Sequence, residues 1–169
     1  MVLPDEARQT VISYLAHQGK KDTSAIAEVI ERERRRLLGM LAEVSQEQAK
    51  FVPSPGQWSI RDVAEHVVAA EAGVVEIIAR LTGTTVSPQG PPAAGRSLTE
   101  LRQHLSGVRA QLSGLVEGLA QDANLEAKHE HLFFGLLNWK EWLAFQRVHD
   151  GDHIGQIEAI RGAPSYPRA

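Results

Sequence analysis

The sequence predicts an all-α protein, a four-helix bundle with a short additional helix at its N-terminus. Three observations support this prediction. Apolar residues recur at steps of three and four along four long stretches, as on the buried face of an amphipathic helix. Capping residues, prolines and glycines separate these stretches. No stretch alternates apolar and polar residues long enough to predict a strand, so the helices must pack on one another.

The first two elements are a short helix, expected over residues 4–18, and a long one over residues 24–48. The long helix must end before Pro53, because proline lacks the amide donor and disfavours helical geometry in the preceding residue. Its mixed charge cluster from Glu31 to Arg36 predicts a solvent-exposed side. Its apolar stripe contains Ile26, Ile30, Leu37, Leu41 and Val44.

The next helix is expected over residues 59–81. Ser59 and Asp62 have the spacing of a capping box, and Trp58 is placed to pack on Val63 as a hydrophobic staple. Residues 82–96 are rich in Gly, Pro, Thr and Ser and predict a loop, longer than most helix connections, that serves as a crossover or a lid.

Two further helices follow this loop. Ser97 and Glu100 form a second capping-box pattern, ahead of a regular leucine and valine stripe that extends to residue 119. The last helix is expected to begin at Asn138, with Glu141 at the third position, and to end near residue 161 before Gly162.

Length and composition predict one domain over residues 1–169, with residues 1–23 as an N-terminal extension. The chain is 43% hydrophobic and 23% charged, which fits a globular core. A net charge of −3 provides no basic surface for nucleic acid or anionic lipid. No apolar run approaches the roughly 18–20 residues of a membrane span, and we find no signal sequence. We therefore expect a cytoplasmic protein without nucleic-acid or membrane partners.

The chain has seven histidines and no cysteine. The absence of cysteine excludes disulfides, thiolate metal sites and a cysteine nucleophile. The remaining strong metal ligands are histidine and carboxylate side chains. The histidines are therefore the first candidates for a functional site.

His149 and His153 are four residues apart in the last predicted helix, so their side chains project from one face about one turn apart. They share this face with Trp142 and Ile157, which places them towards the bundle interior. His66 lies on the apolar face of the helix over residues 59–81. One divalent ion would satisfy a nitrogen from each imidazole and leave a position open, as in catalytic zinc sites.

Several other residues lie near this predicted centre in the sequence. We expect Gln146 and Gln156 to hold substrate or water, and Asp150 and Asp152 to orient an imidazole. The remaining candidates for the wall or the mouth of a pocket are Trp58, Trp142, His129 and His131, the last two in a predicted loop before the final helix.

The sequence also bears on other kinds of site. A ferritin-like di-iron site is disfavoured because its Glu-x-x-His pattern occurs once, at Glu126 and His129. Two alternatives stay open. The bundle can bind metal or a small ligand without turnover, particularly if Trp58 and Trp142 fill the space for a substrate. In the other alternative, the histidines are structural and bond to each other and to the backbone.

Two blocks of sequence resemble the DinB-like (damage-inducible) metal-binding four-helix bundles. In residues 57–66, Trp58 is followed by Ser59, a hydrophobic residue and, eight positions after the tryptophan, His66. The second block comprises residues 139–142, Trp-Lys-Glu-Trp, and residues 149–157. It has two histidines separated by three residues and then a glutamine and an isoleucine. The resemblance covers nearly the whole chain after about residue 24.

The resemblance implies a bundle with a long crossover connection, a homodimer, and a divalent ion such as zinc or nickel held by His66, His149 and His153. Relatives include transferases and isomerases that use low-molecular-weight thiols such as bacillithiol or mycothiol, and others are classed with metal-dependent hydrolases. We hypothesise that the ion lowers the pKa of a bound water or thiol, giving hydrolase or thiol S-transferase activity on a small molecule. The alternative is a stress-related bundle that binds a metal or small ligand without catalysis.

Overall fold

The computed structural model describes residues 4–87, 89–90 and 95–168. Four long helices, two shorter helices and one short hairpin make up the regular structure of these residues. In chain order they are α1 (Asp5–Gln18), α2 (Thr23–Ala42), α3 (Gln46–Lys50), α4 (Ile60–Thr82), α5 (Leu98–Glu117), β1 (His129–His131), β2 (Gly135–Leu137) and α6 (Trp139–Arg161).

The four long helices form the predicted bundle. Helix α6 packs on α2 and on α4, and α5 packs on α4 and on α2, so each long helix has two neighbours. Buried aliphatic side chains from all four fill the interior, and Trp139 is fully buried at the start of α6. Helix α1 packs on the outside of α6. The predicted fold class is confirmed.

The predicted starts of the later helices are also confirmed. The Oγ of Ser59 accepts from the Asp62 amide at 3.2 Å, and the Asp62 carboxylate accepts from the Ser59 amide at 2.8 Å. The same reciprocal pattern begins α5 at Ser97 and α6 at Asn138. Each cap satisfies amides that would otherwise lack partners in the first turn. Helix α4 ends at Gly83, whose φ of 69° favours glycine.

The prediction of one helix over residues 24–48 is wrong at its C-terminal end. Helix α2 stops at Ala42, and Ser45 then caps the separate helix α3. The Ser45 hydroxyl accepts from the Gln48 amide at 3.2 Å, and the Gln48 side chain accepts from the Ser45 amide at 2.9 Å. A serine that bonds locally in this way competes with a continuous helix.

The expectation that residues 129–137 lack strands is also wrong. His129 pairs with Leu137, and His131 with Gly135, in a short antiparallel hairpin. Gly135 closes the turn with a φ of 77°. Strands of three residues are too short to show a periodic pattern. Because alternate residues of a strand share a face, the hairpin places His129 and His131 on one side.

The charge cluster of α2 is only partly solvent-exposed. Arg34 is buried and forms an ion pair with Glu71 of α4. The prediction of a wholly solvated face is therefore wrong at this position. Its neighbours Glu31 and Arg35 are exposed, as expected.

The long connection predicted over residues 82–96 joins α4 to α5, which pack directly on each other. Residue 88 and residues 91–94 of this connection lie outside the described residues. No helix within the described residues is long and apolar enough to cross a membrane.

Candidate metal centre

The structure brings together the three histidines singled out from the sequence. The Nε2 atom of His149 lies 3.2 Å from Nε2 of His66 and 3.2 Å from Nε2 of His153. One nitrogen from each ring lies within 4.8 Å of the other two. His153 is buried, whereas His66 and His149 are partly accessible. The cluster therefore sits at the edge of the bundle, within reach of a small molecule.

Two helices position these rings. His149 and His153 are one turn apart on α6, and His66 is in the second turn of α4. Because α4 packs on α6, the residue from α4 meets the pair from α6. The cap at Ser59 fixes where α4 begins and hence where His66 lies along it.

The nitrogen spacing fits a divalent ion. Zinc binds imidazole nitrogen at about 2.0–2.1 Å, and tetrahedral angles then separate two ligand nitrogens by about 3.3–3.4 Å. The two separations of 3.2 Å are close to this value. Three imidazoles without thiolate form a donor set suited to zinc, nickel, copper or iron.

Hydrogen bonding between the rings cannot account for both short contacts. The Nδ1 atom of His153 donates to Oε1 of Gln156 at 2.9 Å, so a neutral His153 presents a lone pair at Nε2. If Nε2 of His149 carries a hydrogen, one hydrogen cannot serve both His153 and His66 at full strength. If it carries none, two lone pairs face each other between His149 and His153. A cation among three lone pairs removes this conflict.

The surroundings disfavour the charged form of His149 and His66. Burial, together with the neighbouring His153 and His66 rings, lowers the pKa of His149 to about 3. Burial and the neighbouring His153 also lower the pKa of His66. Neutral imidazole is the form that binds metal, so little proton release opposes binding near neutral pH.

Aromatic side chains flank the cluster. The Trp58 ring lies 5.1 Å from the His66 ring and is stacked at 6.5 Å on the His153 ring, measured between centroids. Trp58 is 42% exposed. Phe145 lies 5.5 Å from His149. Trp58 therefore lies against two of the three rings.

The hairpin adds His131 to this aromatic surface. Its ring lies 4.5 Å from Phe145, 4.7 Å from Phe134 and 5.1 Å from Trp142. Burial lowers the pKa of His131 to about 4. Its Nδ1 accepts from the Phe133 amide at 3.2 Å, which places the ring hydrogen on Nε2.

The other histidine of the hairpin lies farther along the same surface. His129 packs 5.9 Å from Trp142, and its Nε2 lies 3.3 Å from an Arg80 nitrogen. The indole nitrogen of Trp142 donates to the His129 carbonyl at 3.3 Å. The side chain of Trp142 is buried and supports the hairpin.

The remaining residues expected near the centre have different surroundings. Gln156 contacts His153, whereas Gln146 is buried in α6. Asp152 is exposed. Asp150 is buried, but its Oδ2 accepts from Arg109 at 2.8 Å and not from an imidazole. The expectation that Asp150 orients a ligand ring is therefore not met.

Asp150 belongs to a buried charge network that the sequence analysis missed. Arg109 also donates to Glu71 at 3.1 Å, and Glu71 pairs in turn with Arg34. Burial raises the pKa of Asp150 to about 6, although Arg109 opposes the shift. The sequence signal that could have revealed the network is a charged residue within the apolar stripe of each of the four long helices. Phe145 was also missed, although it lies one turn before His149 on α6.

Comparisons with known proteins agree with this architecture. A family profile described as the DinB superfamily matches residues 30–157, about three quarters of the chain. A solved structure described as TT2238, a four-helix bundle protein, is similar with a TM-score of 0.66 and 26% identity, covering 80% of this chain and 98% of that chain. No curated protein matches the sequence. The matched residues include all three histidines of the cluster. The chain therefore belongs to the DinB superfamily.

Proposed function

We propose that this protein is a metal-dependent enzyme, of the hydrolase or thiol S-transferase type, whose divalent ion is held by His66, His149 and His153. The observation that carries the proposal is the meeting of three Nε2 atoms whose two short contacts cannot both be hydrogen bonds. Their position at an accessible edge of the bundle suits a reacting site better than a closed structural one.

The ion would supply the chemistry that the side chains lack. When bound, zinc or nickel lowers the pKa of a coordinated water or low-molecular-weight thiol towards neutrality. The chain itself has no cysteine to act as a nucleophile. Gln156 holds His153 in the tautomer with a free Nε2, and Trp58 and Phe145 place apolar rings against His66 and His149.

The metal assignment is tested by elemental analysis of protein loaded with zinc or nickel and then desalted. We expect about one equivalent in the wild type and little in His149→Ala, because two ligands bind far more weakly than three. His104→Ala is the matched control, since His104 bonds Arg96 outside the cluster. Unchanged metal content in His149→Ala, with helical circular dichroism preserved, would contradict the assignment.

The reaction class needs a separate assay. Metal-loaded and chelator-treated protein are compared on thiol cofactors paired with electrophiles, and on simple esters and amides. We expect turnover that depends on the metal in one of these two panels.

The second candidate is a bundle that binds metal or a small ligand without turnover. The position of Trp58 over two of the three rings favours it, because the indole occupies space next to the metal ligands. One equivalent of metal with no turnover in either panel would support this candidate. The homodimer, the cytoplasmic location and a small-molecule substrate stay predictions.

A further inference from the structure

Aromatic rings adjoin the three-histidine cluster. We call this group the aromatic mouth and define it by the exposed Trp58, the partly buried His131 and Phe145, and the buried Phe134 and Trp142 that pack against them. Two of these rings touch the cluster itself. Trp58 lies against His66 and His153, whereas Phe145 lies against His149. Trp58 and Phe145 are therefore the rings of the mouth nearest to a molecule bound at the cluster.

The mouth is uncharged near neutral pH. Four of its side chains are hydrocarbon or indole rings, and the fifth, His131, stays neutral among them because burial lowers its pKa to about 4. The indole of Trp58 is the most accessible ring, 42% exposed. An exposed indole beside the cluster offers apolar area and a flat face for stacking.

We infer that the centre takes ligands in which a metal-binding sulfur or oxygen is joined to a planar, uncharged, apolar group that packs against Trp58 and Phe145. Such a group replaces water on the exposed indole face. A charged group of similar size would lose its hydration without gaining a partner among the rings. The inference rests on the proposed metal centre and adds the class of substrate to it.

The test uses Co²⁺-loaded protein, because thiolate binding to Co²⁺ is followed by absorbance. Three probes are titrated: benzyl mercaptan, 2-mercaptoethanol and 2-mercaptoethanesulfonate, whose charged sulfonate is a poor metal ligand. We expect benzyl mercaptan to bind about tenfold more tightly than 2-mercaptoethanol, because its phenyl ring adds one aromatic contact. 2-Mercaptoethanesulfonate is expected to bind most weakly of the three.

Variants identify the rings responsible. Trp58→Ala and Phe145→Leu should each reduce the preference for benzyl mercaptan by threefold or more, and Trp58→Phe should retain most of it. Val52→Ala is the control, because Val52 is an exposed apolar residue preceding Trp58 and belongs to neither the cluster nor the mouth. Metal content is measured after each titration.

The outcomes separate this inference from the proposed function. Stoichiometric Co²⁺ with equal affinity for the three thiols overturns the substrate class and leaves the metal centre intact. A benzyl preference that survives both Trp58→Ala and Phe145→Leu also overturns it. Failure of the wild type to hold Co²⁺, zinc or nickel overturns both.

Discussion

At the scale of single residues, the site depends on which ring nitrogen is free. Gln156 accepts from Nδ1 of His153 and thereby directs the lone pair of Nε2 towards His149. The sequence could predict that Gln156 lies near the histidines, because it is one turn beyond His153. It could not predict which atom Gln156 contacts, since that depends on the side-chain torsions of both residues.

His131 gives the first prediction at this scale. Its folded pKa of about 4 lies below the unfolded value of about 6.5. Above pH 6.5 neither state binds the proton, and its contribution to stability is fully present. Between pH 6.5 and 4 the unfolded state takes up the proton first, so the free energy of unfolding falls as the pH falls.

The measurement is urea unfolding of chelator-treated protein between pH 7 and pH 4.5. We expect the free energy of unfolding to fall less steeply in His131→Phe than in the wild type. His149 contributes a slope of the same sign, and Asp150, with its raised pKa, contributes the opposite sign below about pH 6. The test therefore uses the difference in pH slope between the wild type and His131→Phe, in which the contributions of His149 and Asp150 cancel. Identical slopes would show that His131 is protonated normally in the folded state.

At the scale of elements, local sequence signals determined most of the fold. The capping boxes at Ser59, Ser97 and Asn138 gave the starts of α4, α5 and α6 within one residue. The same kind of signal at Ser45 was overlooked, because the apolar stripe continues up to Val44, directly before it, and predicts one longer helix. The hairpin was missed because pairing between His131 and Gly135 depends on a turn, not on periodicity.

The cap of α4 gives the second prediction. Ser59→Ala should lower the free energy of unfolding by about 1 kcal/mol, because the first-turn amide of Asp62 loses its side-chain partner. It should also weaken metal binding, since Ser59 begins the helix that carries His66. Chemical denaturation and competition with a metal chelator measure the two effects.

Ser97→Ala is a matched control for this variant. Ser97 forms the same capping box with Glu100, but α5 carries none of the three histidines. Ser97→Ala should lower the free energy of unfolding by a similar amount and leave metal affinity unchanged. Equal losses of metal affinity in the two variants would argue against a specific role for the start of α4.

At the scale of the whole molecule, each helix of the bundle contributes one charged residue to the buried network. Arg34, Glu71, Arg109 and Asp150 come from α2, α4, α5 and α6 respectively. These partners are 37 to 41 residues apart in sequence. Periodicity shows that each lies on a buried face, but it cannot show which charges meet. The sequence therefore predicted the bundle and missed the charge pairing inside it.

The network gives the third prediction. Arg109→Met should lower the free energy of unfolding by about 3–5 kcal/mol, because it removes the salt-bridge partner of the buried Asp150 and leaves Glu71 paired with Arg34 alone. Arg36→Met is the control. Arg36 pairs with Glu158 at an exposed position. Its replacement should therefore lower the free energy of unfolding by less than about 1 kcal/mol. Urea unfolding at pH 7 measures both, and similar losses would contradict the assigned importance of the buried pairs.

The candidate site was predicted more fully than its surroundings. The three histidines follow from helical spacing and from the resemblance. The position of Trp58 over their rings, and the contact of the hairpin with Phe145, depend on how separate segments pack. Packing between distant segments is set by the shapes of many side chains together, so no local pattern reports it.

Arg8 of α1 donates to the Phe133 carbonyl at 2.6 Å, at the turn of the hairpin that carries His131. Helix α1 lies before the portion matched by the family profile, which begins at residue 30. A segment outside the shared bundle thus anchors one side of the entrance. Substitutions in residues 5–18 can therefore change the shape of the entrance while the three histidines stay unchanged. Relatives with the same three histidines and different N-terminal segments should differ in substrate range.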